Sequence, residues 1–314
     1  MPSTTRFARL SAMEGAFVWG VALFYRTGDS AETDLIQKVF LFAVLVVVPL
    51  GVSLIDSDKE WITLRIAMVL QPVTALLCLI SFVLPQGIAA GILASTWLVT
   101  VSFIALAGLL RVVFSKQWLS LELAVSAGMM YLPVGGAWLV ASRLGFQPLG
   151  FGDTIVLLTA VHFHFAGFAA PLLAGLAGRQ LPSSRTLATA SIAIVFGTPL
   201  VAAGITLSPT IALGGTLLVA CGLVLLGCVV IFRVVPKLQV RVAQVLLVIG
   251  SLSSLVAMVL AVLYAYSIVT RTVILDIPQM AMTHGLLNSF GFSLCGLLGW
   301  AIESSSTSRT LVTK

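Results

Sequence analysis

The residues able to do chemistry in this chain are few, and they stand inside apolar runs. The chain has three histidines, His162, His164 and His284. Imidazole changes charge near neutral pH, so histidines in a dry setting suit proton transfer. The first two lie in Thr159-Ala-Val-His162-Phe-His164-Phe-Ala-Gly167-Phe168-Ala-Ala-Pro171. Helical positions two apart point about 200° away from each other. Both rings therefore cannot face one point without local distortion, and a metal site on the pair is not expected. One is expected to face a cavity and the other to bond an adjacent helix. Pro171 cannot donate to the Gly167 carbonyl, so a kink is expected just after the histidines. The third lies in Gln279-Met-Ala-Met-Thr283-His284-Gly285-Leu-Leu-Asn288-Ser289-Phe-Gly291-Phe292. His284 and Asn288 are four apart and share a face. Thr283 and Gly291 flank that face, Cys295 continues it, and Gly285 and Gly291 would admit a helix or a ligand.

This set reads as an intramembrane enzyme acting on a lipid-soluble small molecule, by acid/base isomerisation or cyclisation of an isoprenoid-type compound. His162 or His164 with His284 would supply acid and base. Thr159, Thr283 and Asn288 would orient a ring or hold a substrate oxygen. Phe168 and Phe292, with Phe163, Phe165 and Phe290, would shape the pocket or face a cation. Each residue also has a plainer reading. A membrane His often just bonds a neighbouring backbone, an Asn often joins two helices, and aromatics at helical spacing usually pack. A mid-membrane carboxylic acid, a stronger donor than imidazolium, is missing. The alternative is a transporter or permease for a small or amphipathic solute. Pro49, Pro72, Pro133, Pro171 and Pro199 would then mark hinges or broken helices. A membrane scaffold is the third reading. The sequence carries no phosphate loop, no HExxH and no GxSxG, and neither a cofactor nor a metal is expected.

The elements that must position these residues follow from composition. Of 314 residues, 59% are hydrophobic and only 9% charged, with a mean hydropathy of +1.13. That is too little polar surface for a water-facing globule, where about 25% of residues are charged. Unbroken apolar runs of spanning length replace the ten-residue alternation of a transmembrane barrel. The expected fold is all-α, a polytopic transmembrane bundle of about ten helices forming a single domain over residues 1–314. The helices are expected near 12–25, 39–55, 64–84, 88–110, 123–142, 155–177, 186–207, 210–232, 242–267 and 279–301. The first is short, is expected to be an uncleaved span, and contains Glu14, which could snorkel to the interface. No internal repeat stands out.

Charge sets the orientation. Ten spans would place 13 of the 17 Lys and Arg on one side, among them Arg6, Arg9, Lys59, Arg65, Arg111, Lys116, Arg309 and Lys314. The positive-inside rule then puts both termini in the cytoplasm. With nine spans the split weakens, so the bias favours ten. The expected location is the bacterial plasma membrane. The net charge of +6 thus reports topology, and no nucleic-acid partner is expected. The expected partners are the bilayer and a lipid-soluble small molecule; nothing sets an oligomeric state. Both polar clusters lie on helices entering from outside, about 10–14 Å in at 1.5 Å per residue. Asp153 and Asp276 sit at the outer mouth, either beside a His or as solvated loop carboxylates. Cys78, Cys221, Cys228 and Cys295 all lie in apolar stretches and read as small hydrophobes.

The stretch Leu158-Thr-Ala-Val-His162-Phe-His164-Phe-Ala-Gly167-Phe168 resembles one signature of the YndJ-like family, and Met282-Thr283-His284-Gly285-Leu-Leu-Asn288-Ser-Phe-Gly291-Phe292 resembles a second. Val46-Val-Val-Pro49-Leu50 is similar to that family's first confident span. The resemblance implies a multi-pass bacterial or archaeal membrane protein, labelled at times a transporter, and carries no catalytic residues with it.

Overall fold

The computed structural model describes residues 4–55, 61–115 and 121–312, with side chains given up to 306 apart from that of Ser115. Lys59, Lys116 and Lys314 lie outside the described residues, as does the side chain of Arg309. Every regular element among the described residues is helical. We number the helices α1 Thr4–Ala22, α2 Ala31–Val52, α3 Ile62–Val83, α4 Ile88–Ser115, α5 Glu122–Leu144, α6 Asp153–Gln180, α7 Arg185–Leu207, α8 Pro209–Lys237, α9 Arg241–Thr270 and α10 Ile277–Ser306. Nine of these, α2 to α10, are long and apolar enough to cross a membrane. The protein is a multi-pass membrane protein of helices.

Several helices start earlier than their apolar runs, because capping chemistry extends them. Ser30 caps α2 by accepting from the Thr33 amide, and Glu32 and Asp34 occupy its first turn, where carboxylates favour the helix dipole. Asp276 and Gln279 form a reciprocal capping box at the start of α10. Ser184 caps α7. Helix α1 begins near Thr4, well before the apolar run that marked it at residue 12.

The chain's contacts fall into two compact units: Met1–Trp118 with Ser126–Ala169, and Leu119–Val125 with Ala170–Lys314. In the first unit, α2 is the most enclosed span, with 89% of its apolar window buried. Helix α1 covers it at very close range: a Cβ at Gly15 would stand 1.9 Å from the Leu45 carbonyl oxygen. Ser11 of α1 donates to Gln71 of α3, and the Gln71 amide donates to Val44 of α2 at 3.1 Å. In the second unit, α7 and α8 meet backbone to backbone. A Cβ at Gly204 would come within 2.1 Å of the Ala212 nitrogen, and one at Gly215 within 2.6 Å of the Val201 nitrogen. Helices in lipid gain nothing from expelling water between apolar faces, so small residues that bring backbones together carry the packing.

Among the described residues five helical stretches are wound wider, as π-helix: Ala43–Val47, Phe163–Ala169, Val230–Val234, Ala281–Gly285 and Leu287–Leu294. Three of them end two residues before a proline, namely Pro49, Pro171 and Pro236. Proline has no N–H for the carbonyl four residues back and its ring crowds that carbonyl, so the preceding turn widens. Pro72, Pro133 and Pro199 sit inside α-helix without this change. The two π stretches of α10 have no following proline.

The Gly15 contact makes a prediction by contrast with Gly20, which has open space around it. Gly15→Ala should lower stability in detergent by about 1–3 kcal/mol, the usual cost of overpacking, while Gly20→Ala should leave it unchanged or slightly raised. Thermal unfolding of the two purified variants checks this.

Candidate functional site

The two histidine clusters fall in different units, and their surroundings differ. His164, in the first unit, is fully buried. Its Nδ1 donates to the Ala160 carbonyl at 2.8 Å, and its Nε2 accepts from the indole N–H of Trp97 at 3.0 Å. An indole can only donate, which fixes the ring as the Nδ1–H tautomer. Phe40 meets it edge-on, with ring centroids 5.0 Å apart. Gly135 makes room, since a Cβ there would be 2.6 Å from Nδ1. Both ring nitrogens are thus engaged, one by its own helix and one by α4.

His162 lies on a different side of the same helix. Its side chain is exposed, and its Nδ1 stands 2.7 Å from the Leu158 carbonyl. The helix before Pro171 carries the π stretch Phe163–Ala169, which includes His164 and does not follow both histidines; His162 is exposed and His164 buried. Thr159 is half-buried, and its hydroxyl donates to Ile155 in the preceding turn. Phe168 is completely buried and Phe163 and Phe165 nearly so, so these rings serve as packing within the first unit. Gly167 does allow close approach, facing Tyr131 Cβ at 3.2 Å from where its own Cβ would be.

His284 and Asn288, in the second unit, form the pair that their spacing implied. Nδ1 of His284 donates across to the Ala257 carbonyl on α9 at 2.9 Å. The Asn288 amide nitrogen stands 3.1 Å from Nε2 and 3.0 Å from the His284 carbonyl. Both residues are half-buried. They occupy the two π stretches that no proline explains, and π turns inside α-helices recur at functional sites. Local side chains support the wider winding. Ser289 donates to Gly285, and Thr283, exposed, donates to Gln279. Gly291 admits α9, with Ser253 Oγ only 2.3 Å from a Cβ placed there, whereas a Cβ at Gly285 would meet only the Met280 carbonyl oxygen, at 3.7 Å. Phe292 is buried and lines a small apolar cleft with Leu226, Gly227, Leu247, Gly250 and Trp300.

The carboxylates at the helix starts act locally. Asp153 accepts from Gln147, and Asp276 caps α10. Glu122 starts α5 and also binds Arg179 through both oxygens, at 2.6 and 3.1 Å. Sequence reasoning missed Trp97 and the Ala257 carbonyl. A buried Trp needs an acceptor for its N–H, and that was the available signal for Trp97; a backbone carbonyl on another helix leaves none.

A family model described as YndJ-like protein matches residues 38–292, a range that contains the three histidines, Trp97, Ala257 and Asn288. The chain is 31% identical over 235 residues to the "Uncharacterized membrane protein YndJ" of Bacillus subtilis (strain 168), a match covering 74% of this chain and 42% of that one. The chain thus spans less than half the length of this relative. No solved structure matches it.

Trp97→Phe should cost about 1–3 kcal/mol, because it leaves the His164 Nε2 buried without a donor. Trp97→Phe with His164→Phe should cost less than the sum of the two single changes. A double-mutant cycle of unfolding in detergent reads that coupling.

Proposed function

The chain belongs to the YndJ-like family of membrane proteins, and we propose that it is a membrane-integral enzyme that moves a proton on an isoprenoid-type compound at His284 and Asn288. The observation that carries this reading is the His284–Asn288 pair itself, half-buried in π-wound helix with Nε2 turned to a side-chain amide. With Nδ1–H held by Ala257, Nε2 is the basic atom. Asn288 can exchange its bond to Nε2 for one to a substrate carbonyl oxygen. His284 then takes a proton from the carbon beside that carbonyl, and the imidazolium returns it to the far carbon of the conjugated system. The double bond moves, and no atom is gained or lost.

Isomerisation fits these residues better than cyclisation. A cyclising carbocation needs aromatic faces open to it, and Phe163, Phe165, Phe168 and Phe292 are all buried. Thr283, exposed one residue before His284, suits a substrate that enters sideways from the bilayer. His162 takes no part in this scheme, and His164 holds α4 and α6 in register. We place both termini on the cytoplasmic side, on the charge bias. A permease for an amphipathic solute is the second reading, favoured by the π turns that precede Pro49, Pro171 and Pro236, which would serve as hinges.

The test uses purified protein in lipid nanodiscs with β,γ-unsaturated isoprenoid ketones, followed by mass spectrometry in deuterated water. The enzyme reading expects an isomer carrying solvent deuterium. His284→Ala should lower its rate by about 10²–10⁴-fold, the usual contribution of a positioned acid/base, and Asn288→Ala should also slow it. Full activity in a folded His284→Ala protein would remove the assignment. Accumulation in vesicles of a chemically unchanged solute would favour the permease.

A further inference from the structure

Helix α1 runs antiparallel to α2 along most of its length. The Trp19 indole donates to the Lys38 carbonyl at 2.8 Å, and four residues earlier Gly15 sits against Leu45. Leu45 is seven residues from Val52 and fourteen from Ala31, about 10 Å and 21 Å along the helix at 1.5 Å per residue. The α1 residue next to Gly15 is therefore well inside the span. The buried side of α1 is small: Ala8, Ser11, Ala12 and Gly15. Its other side is large and exposed, with Leu10, Met13, Phe17 and Val21 between 44% and 75% accessible.

Glu14 lies in the middle of that exposed side. It makes no ion pair or hydrogen bond among the described residues. An ionisable group at membrane depth is costly, and such groups pair with one another or line a functional path. Its side chain leans toward the helix N-terminus, which shortens the way to the Val52 end without closing 10 Å. A second copy of the chain does not answer the charge. A two-fold axis along the membrane normal would set Glu14 against Glu14, and Arg6 is eight residues away, about 12 Å along the axis.

We propose that α1 is a tenth membrane-crossing helix, and that its Leu10–Met13–Glu14–Phe17–Val21 face docks a partner's transmembrane helix bearing one lysine or arginine at the depth of Glu14. The apolar side chains supply contact area, and the carboxylate selects the partner by charge and fixes its register.

The test uses a synthetic Leu/Ala transmembrane helix with one central lysine, and the same helix with leucine in its place. Energy transfer to the protein in phosphatidylcholine vesicles measures their binding. The lysine helix should bind at least about five-fold tighter than the leucine helix. Glu14→Gln should erase that preference without unfolding the protein, and Glu14→Lys should transfer it to a helix with a central glutamate. Equal binding of the two helices to the unmodified protein overturns the proposal, as does a preference that survives Glu14→Gln. A Glu14→Cys protein labelled at that position in intact vesicles by a membrane-impermeant maleimide overturns it too, because the position would then be in water. A disulfide that joins two copies of the Glu14→Cys protein through that position, undiminished by added lysine helix, replaces the partner with a second copy and overturns it as well.

Discussion

A carbonyl or amide freed inside a membrane helix has no water to turn to, and most of the polar residues in these spans exist to answer that constraint. Gln71 donates to the Val44 carbonyl where α2 is wound wide. Arg143 is buried at the end of α5 and caps the C-terminus of α3, donating to the Ser81 and Leu84 carbonyls with its guanidinium 4.9 Å from the Phe82 ring centre. A cation at a helix C-terminus is favoured by the dipole as well as by the hydrogen bonds. Glu303 does the converse on α10. Its two oxygens accept from the Gln239 and Val240 amides and cap α9, whose own N-cap residue, Val240, has no polar side chain to offer. The Ser and Thr hydroxyls mostly return to carbonyls three or four residues back, as at Thr159, Ser251 and Ser289.

Once these backbone services are set aside, few polar groups remain to explain. Helix irregularity sorts in the same way. Three π stretches have a proline two residues on, where the missing N–H frees a carbonyl, though Pro72, Pro133 and Pro199 sit in helix that is not widened. The two in α10 have none, and they hold His284, Asn288 and the residues around them. That is why the functional reading rests on α10 and not on the His162–His164 segment, whose π winding Pro171 already accounts for.

The sequence made the helices legible because an apolar run of spanning length admits few other structures. It also showed that His162 and His164 point apart and that His284 and Asn288 pair, since both follow from helical spacing alone. Helix starts were less legible. Residues 31–38 look too polar for a span, yet Ser30, Glu32 and Asp34 are what a helix N-terminus needs. The partners of the histidines were not legible. Trp97 is 67 positions from His164, and Ala257 contributes a carbonyl that any residue would have. Phe168 and Phe292 have the type and spacing of pocket walls, and only burial distinguishes a wall from packing.

The contrast between His164 and His284 carries the chemical argument. Each gives its Nδ1 proton to a backbone carbonyl, at 2.8 and 2.9 Å. They differ at Nε2. Trp97 offers only a donor, so His164 must keep Nε2 unprotonated, and taking up a proton there would place two N–H groups head to head in a buried site. Asn288 offers a carboxamide, which has a donor on one arm and an acceptor on the other. Rotated by half a turn, it would receive a hydrogen bond from a protonated Nε2. The same environment therefore accommodates His284 as base and as conjugate acid, which is what a group that takes a proton and gives it back requires.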